Sequence, residues 1–146
     1  MRAVLLVNMG GPASLSEVRP YLQAIFRDPA ILPVPTPLRS LLSALIVSLR
    51  TRKVEERYRM IGGVSPLISW TEKLRDSVAA ALRDHGVSTR VAYAFRYSEP
   101  LIPAALTTLK ARGVNSVLLV PLFPHYTRAM TGSIETCLLY TSDAAD

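Results

Sequence analysis

Three short apolar runs constrain this chain more than any other feature: residues 3–7, Arg90–Phe95 and Ser116–Pro121, each rich in Val, Leu or aromatic side chains. Runs of this length and composition read as strands buried in a parallel sheet. Helical periodicity separates them. Ser14 with Glu17 three residues on has the form of a capping box and opens a segment to about Arg27, with Pro20 inside it. Leu67, Trp70, Leu74, Val78 and Leu82 recur at spacings of three and four up to His85, and Gly86 stands where a C-terminal cap belongs. A third helix is expected from Pro100 to Arg112, with Ile102, Ala105, Leu106 and Leu109 on one face and Gly113 as its stop. The order β-α-α-β-α-β argues for an α/β fold with a mainly parallel sheet.

Composition narrows the setting. At 146 residues and 49% apolar, the chain has material for one core and one domain. No run reaches the roughly 20 apolar residues of a membrane span. The opening residues lack a small-residue cleavage site, so they read as a strand and not a secretory signal. A cytoplasmic or membrane-peripheral protein is expected. The net charge of +6 suits an anionic partner such as a polycarboxylate or an acidic lipid. The basic residues are dispersed, with no nucleic-acid-binding signature, so nucleic acid is not expected as a partner. A single cysteine, Cys137, excludes an internal disulfide and a cysteine-built metal cage.

Residues 29–53 differ from the rest. Pro29, Pro33, Pro35 and Pro37 keep the first part extended, and Leu38, Leu41, Leu42, Leu45, Ile46 and Leu49 then follow helical spacing, flanked by Arg39, Arg50 and Arg52. This amphipathic helix either packs on the domain core or forms a greasy lip for a flat apolar ligand or a membrane surface.

Ligands of such sheets bind beyond the carboxyl ends of the strands. Three loops leave those ends: Asn8 to Pro12, Arg96 to Pro100, and Phe123 through Ser133. Gly10 and Gly11 are expected to let the backbone approach a ligand, although the pattern is not that of a dinucleotide site. Arg96 and Tyr97 can bind a carboxylate, or serve as plain surface packing. His125 beside Tyr126 is either a ligand or acid–base group or a hydrogen-bonded structural residue, and His85 reads as a partner of a helix C-terminal dipole. No zinc spacing, HExxH or GxSxG occurs.

Tyr58, Ile61, Gly62, Gly63, Ser65, Pro66 and Leu67, followed by Trp70 and Thr71, form the pattern YxxIGGxSPL…WT. This resembles the signature of ferrochelatases. Residues 7–12 resemble that family's first strand and loop, and Phe95 to Tyr97 with Pro100, and Pro124 to Tyr126 with Thr131 to Ser133, stand in the family's order. The resemblance covers residues 1–136. It implies a Rossmann-like lobe, one of two around a porphyrin cleft, in a lyase of haem biosynthesis that inserts ferrous iron into protoporphyrin IX. By motif position Arg50, Tyr58 and Ser65 are porphyrin-contacting, and Met9, Arg96, Tyr97 and Tyr126 line the same cleft, with His125 as a further cleft candidate. The resemblance also implies that the leucine segment is a lip with possible peripheral membrane contact. The alternatives are a non-catalytic porphyrin-binding lobe and a chelatase for another tetrapyrrole with cobalt or nickel. Met9 and Phe26 fit a protoporphyrin user better than a coproporphyrin user. The family's catalytic histidine and glutamate belong to a second lobe, which this sequence does not reach, so no catalytic residue or resident metal is expected here. Iron is a substrate and no cofactor is required. Some members hold an iron–sulfur cluster partly through a cysteine in the third loop, where Arg128 and Ala129 stand instead, so no cluster is expected.

Residues 137–146 carry neither a helix pattern with caps nor a strand–turn signal. They resemble a translated sequencing adapter. The expectation is a lobe over residues 1–136 followed by a non-native tail, in a fragment inactive by itself, with Cys137 carrying no function.

Overall fold

The computed structural model describes residues 1–143. Three parallel strands, β1 (Arg2–Asn8), β2 (Arg90–Phe95) and β3 (Ser116–Pro121), form a sheet in the order β2-β1-β3. Among the described residues five α-helices accompany them: α1 (Val18–Arg27), α2 (Thr36–Met60), α3 (Pro66–Asp84), α4 (Ile102–Ala111) and α5 (Ser133–Asp143). This is a Rossmann-like α/β lobe. Leu5 pairs with Ala92 on one side and Leu119 on the other, so β1 is central and hydrogen-bonded along both edges.

The alternation of β1 sorts its side chains. Ala3, Leu5 and Val7 point into one cluster with Ala94, Ile102, Leu109, Val114 and Ile134, which joins the sheet to α4 and α5. Leu6 is buried on the opposite face, where α3 runs beside β2 and Tyr93 donates its hydroxyl hydrogen to Glu72 at 2.7 Å. A second, smaller cluster of Val18, Leu22 and Val47, with Phe26, Val54 and Tyr58 against it, fastens α1 to α2.

Several expectations are revised. β3 contains no fully buried residue and leaves Leu118 65% exposed, because it pairs with β1 alone and one of its faces is uncovered among the described residues. In α3 the apolar row does not form a core face: Trp70 and Leu74 are exposed, and the buried residue is Thr71. The capping box at Ser14 does not close. Glu17 accepts the Ala13 N–H at 2.9 Å, Ser14 bonds sideways to Ser16, and a single 3-10 turn, Leu15–Glu17, precedes α1. Pro20 then falls in the first turn of α1, where its missing N–H costs nothing. Gly86 takes φ +72° beyond α3, with His85 as the cap residue and its Nδ1 2.8 Å from Ala81 O.

The helix α5 runs through position 136 without a break. Ile134, Cys137 and Leu138 recur at helical spacing and lie against the sheet cluster, which is the packing that carries the helix into the segment whose sequence shows no capped helix pattern. The last three residues of that segment lie outside the described residues. Finally, the leucine helix is one element of 25 residues, Thr36–Met60, and its packed face is not the leucine face. Ser43 and Val47 are buried, whereas Leu38, Leu41, Leu45 and Leu49 are exposed. No helix among the described residues is long and apolar enough to cross a membrane.

Candidate functional site

Because all three strands are parallel, their carboxyl ends share one edge, and the loops beginning at Met9, Arg96 and Leu122 leave from it together. Backbone bonds tie the first two loops. The Arg96 N–H donates to Asn8 O at 2.9 Å and the Tyr97 N–H to Met9 O at 3.1 Å. The third follows through Leu122 N–H to Val7 O at 2.8 Å.

The glycine pair is packed on its Cβ side against the chain's own residues, and Gly11 also lines an open crevice. Gly10 has φ +88°, and a β-carbon there would overlap Ser98 and Phe95. A β-carbon on Gly11 would overlap Ser65, with the Tyr58 hydroxyl close behind. Ser65 caps α3 and donates its N–H to Pro12 O at 2.9 Å, and the Gly11 N–H donates to Ser98 Oγ at 3.1 Å. The small residues thus draw the start of α3 and the end of α2 onto the first loop. Tyr21 completes this wall by donating to Gly10 O at 2.9 Å; burial, then the neighbouring Tyr58, pushes its pKa up to about 12. An open crevice of about 260 Å³ lies here, lined by Pro12, Tyr21, Ile68, Tyr97, Ser98 and Glu99.

Met9, Tyr58, Ser65, Arg96 and Tyr97 therefore meet around the ends of β1 and β2. Arg50 lies eight residues before Tyr58 on α2, roughly 12 Å along the axis, with its guanidinium 5.9 Å from the Phe26 ring centre. His125 and Tyr126 sit apart, exposed in the loop after β3, and Tyr126 donates to Glu135 at 3.1 Å.

Arg96 and Tyr97 do hold a carboxylate, and it belongs to the chain itself. Asp28 Oδ2 accepts from Arg96 Nη2 at 2.9 Å, from Tyr97 Oη at 2.8 Å and from Ser133 Oγ at 2.5 Å. Arg96 Nε also donates to Ser133 Oγ at 2.9 Å. Asp28 is only 6% and Tyr97 5% exposed. Burial raises the Asp28 pKa, but the bonds from Ser133, the Ala30 N–H and Tyr97, with the charge of Arg96, outweigh it and leave the carboxyl below its ordinary value. Burial is the first cause lifting Tyr97 well above the ordinary phenol range. Sequence reasoning missed Asp28 and Ser133. The one local signal was an acid placed directly after an apolar helix and before Pro29.

The ferrochelatase family model matches residues 1–144. The chain belongs to the ferrochelatase family. Curated relatives named ferrochelatase from Synechococcus elongatus and Parasynechococcus marenigrum are 40% and 39% identical over 131 residues, and one from Prochlorococcus marinus is 37% identical over the same length. Each alignment takes in 89% of this chain and 34% of the relative. The chain thus spans about a third of the length of the curated ferrochelatases it matches.

Proposed function

We propose that this lobe forms the porphyrin-gripping side of a ferrochelatase, a lyase that inserts ferrous iron into protoporphyrin IX in haem biosynthesis. The observation that carries the reading is the convergence of Met9, Tyr58 and Ser65 with Arg96 and Tyr97 at the strand ends of a family member, beside an outward-facing leucine row. A porphyrin presents a wide apolar face and propionates at one edge. Leu41, Leu45 and Leu49 supply apolar cover, and Arg50 with the Tyr58 hydroxyl supplies the groups that pair with a propionate. Ser65, Arg96 and Tyr97 keep the wall behind them in place, and the exposed His125 and Tyr126 form its far rim. Iron passes through as substrate. Arg128 and Ala129, in place of a cysteine, support a loop without an iron–sulfur cluster.

Met9 and Phe26 favour protoporphyrin over coproporphyrin. Titrating both porphyrins into the chain while following the Soret band tests this: a shift with protoporphyrin at lower concentration is expected, and no shift with either removes the proposal. We also infer a cytoplasmic protein in peripheral contact with the membrane, supported by the exposed leucine row between Arg39 and Arg52. Co-sedimentation with vesicles containing anionic lipid is the expected result.

A further inference from the structure

Three segments far apart in sequence end on one buried carboxylate. Asp28 closes α1 and opens the proline-rich stretch that leads into α2. Arg96 and Tyr97 begin the loop after β2, and Ser133 is the first residue of α5. The two carboxylate oxygens divide the work. Oδ1 accepts the Ala30 N–H at 2.7 Å, and the Asp28 carbonyl accepts the N–H groups of Ile31 at 3.1 Å and Leu32 at 2.9 Å, so this residue shapes the turn by which the chain leaves α1. Oδ2 takes the three side-chain donors of Arg96, Tyr97 and Ser133. A carboxylate out of water is costly unless charge and hydrogen bonds replace its hydration, and here both do.

The site is also where the lip needs an anchor. The cluster that fastens α2 to α1 uses Val47, Val54 and Tyr58, all from the middle and end of that helix. Ahead of Ser43, α2 has no buried residue. Its first turns, bearing Leu38 and Leu41, are therefore aimed by the stretch that Asp28 starts. The turn from residue 28 to 32, the hinge between α1 and the lip, borders a crevice of about 460 Å³ lined by Pro29, Ala30, Tyr126, Arg128, Gly132 and Glu135.

We propose that Asp28 is a positioning residue that couples the hinge of the leucine lip to the Arg96–Tyr97 wall, so that one carboxylate sets the aim of the lip and the rotamers of the wall together. Its effect on porphyrin binding rests on the reading above; its effect on the hinge does not.

The test is hydrogen exchange and porphyrin titration on the 146-residue chain with Asp28→Asn, Ser133→Ala and Asp28→Asn/Arg96→Gln. Asp28→Asn keeps the shape and the bond to Ala30 but removes the charge. Exchange at amides 30–32 and 96–98 is expected to rise roughly ten-fold, the size of one lost charge-assisted hydrogen bond, while the amides of Leu5 and Val7 hold. Ser133→Ala, which spares the ion pair, is expected to give a smaller rise at the same two places. Removing both charges in the double variant is expected to restore part of the protection at 30–32, a rescue that independent structural roles would not produce. Protoporphyrin affinity should follow the hinge, falling in Asp28→Asn and recovering in part in the double variant. If the unaltered chain binds no porphyrin, the functional reading fails while exchange still decides the coupling. Acceleration spread evenly over the sheet in both single variants, or hinge exchange unchanged, or no rescue in the double variant, overturns the proposal.

Discussion

Leu5 and Leu45 come from equally apolar stretches and meet opposite fates. Leu5 is fully buried in a strand that has β2 on one edge, β3 on the other and helices against its face. Leu45 is 54% exposed on a helix held mainly by α1, through Val47, Val54 and Tyr58, with Ser43 buried on the same element. The difference is geometric. A central strand has both edges hydrogen-bonded, and here Ala3, Leu5, Leu6 and Val7 are buried on its two faces while Val4 is half-buried. A helix held from one direction buries only the residues turned that way, and here the bulkier row faces outward. Exposed apolar rows are where interaction surfaces are found in general, which is why this row carries the proposal made above.

Leu5→Ala is expected to have the largest effect, a loss of about 3–4 kcal/mol in urea unfolding, because rigid surroundings cannot close over the cavity. Asp28→Ala comes next at about 3 kcal/mol, since it strands the Arg96 guanidinium beside two buried hydroxyls. A much smaller loss would mean that the two regions are less firmly joined than the distances imply. Val47→Ala should cost about 2 kcal/mol, less than the strand core because the helix pair can settle into the space.

The junction also titrates. With Asp28 held below its unfolded pKa of about 3.9, its contribution is complete above that value and disappears as pH falls through the lower folded one. Tyr21 is raised to about 12, so its contribution is complete below the unfolded value near 10 and is lost as pH climbs from there. Thermal unfolding from pH 2 to 12 should thus fall away at both ends, and Asp28→Asn should blunt the acid limb most and ease the alkaline one slightly, because the Asp28 charge and bond also help to lift Tyr97. The smallest stability effect belongs to Leu41→Ser with Leu45→Ser, within about 0.5 kcal/mol each. The same pair should weaken protoporphyrin and vesicle binding several-fold. A stability loss equal to that of Val47→Ala would show that the leucine face is covered, and would erase the contrast drawn above.

The strands were legible because runs of β-branched and aliphatic residues bounded by Gly and Pro need no distant partner to be recognised; Arg90–Phe95 and Ser116–Pro121 match the expected bounds to the residue. The leucine helix was recognisable as a helix but not in its length. Its second half is mostly charged, with Arg52–Glu56 at 3.3 Å and Glu55–Arg59 at 3.8 Å on its surface, and the apolar positions Val54 and Tyr58 are too sparse to stand out as a period. The loops bearing Met9, Arg96 and Tyr126 followed from strand direction alone, and the signature from Tyr58 to Thr71 named the family. What neither showed was the partner of Arg96 and Tyr97.

The sequence by itself determined the α/β order, the parallel sheet, the loops at its carboxyl edge and the family, since each depends on local pattern or on motif spacing. Only the tertiary structure decided which face of α2 turns inward, how the Gly10–Gly11 loop is filled, and where the buried carboxylate lies. Asp28 meets its partners across 68, 69 and 105 residues of chain. Contacts over such distances leave no periodicity; they exist because folding carries a helix end, a strand end and the start of α5 to one dry point where an unpaired charge could not remain.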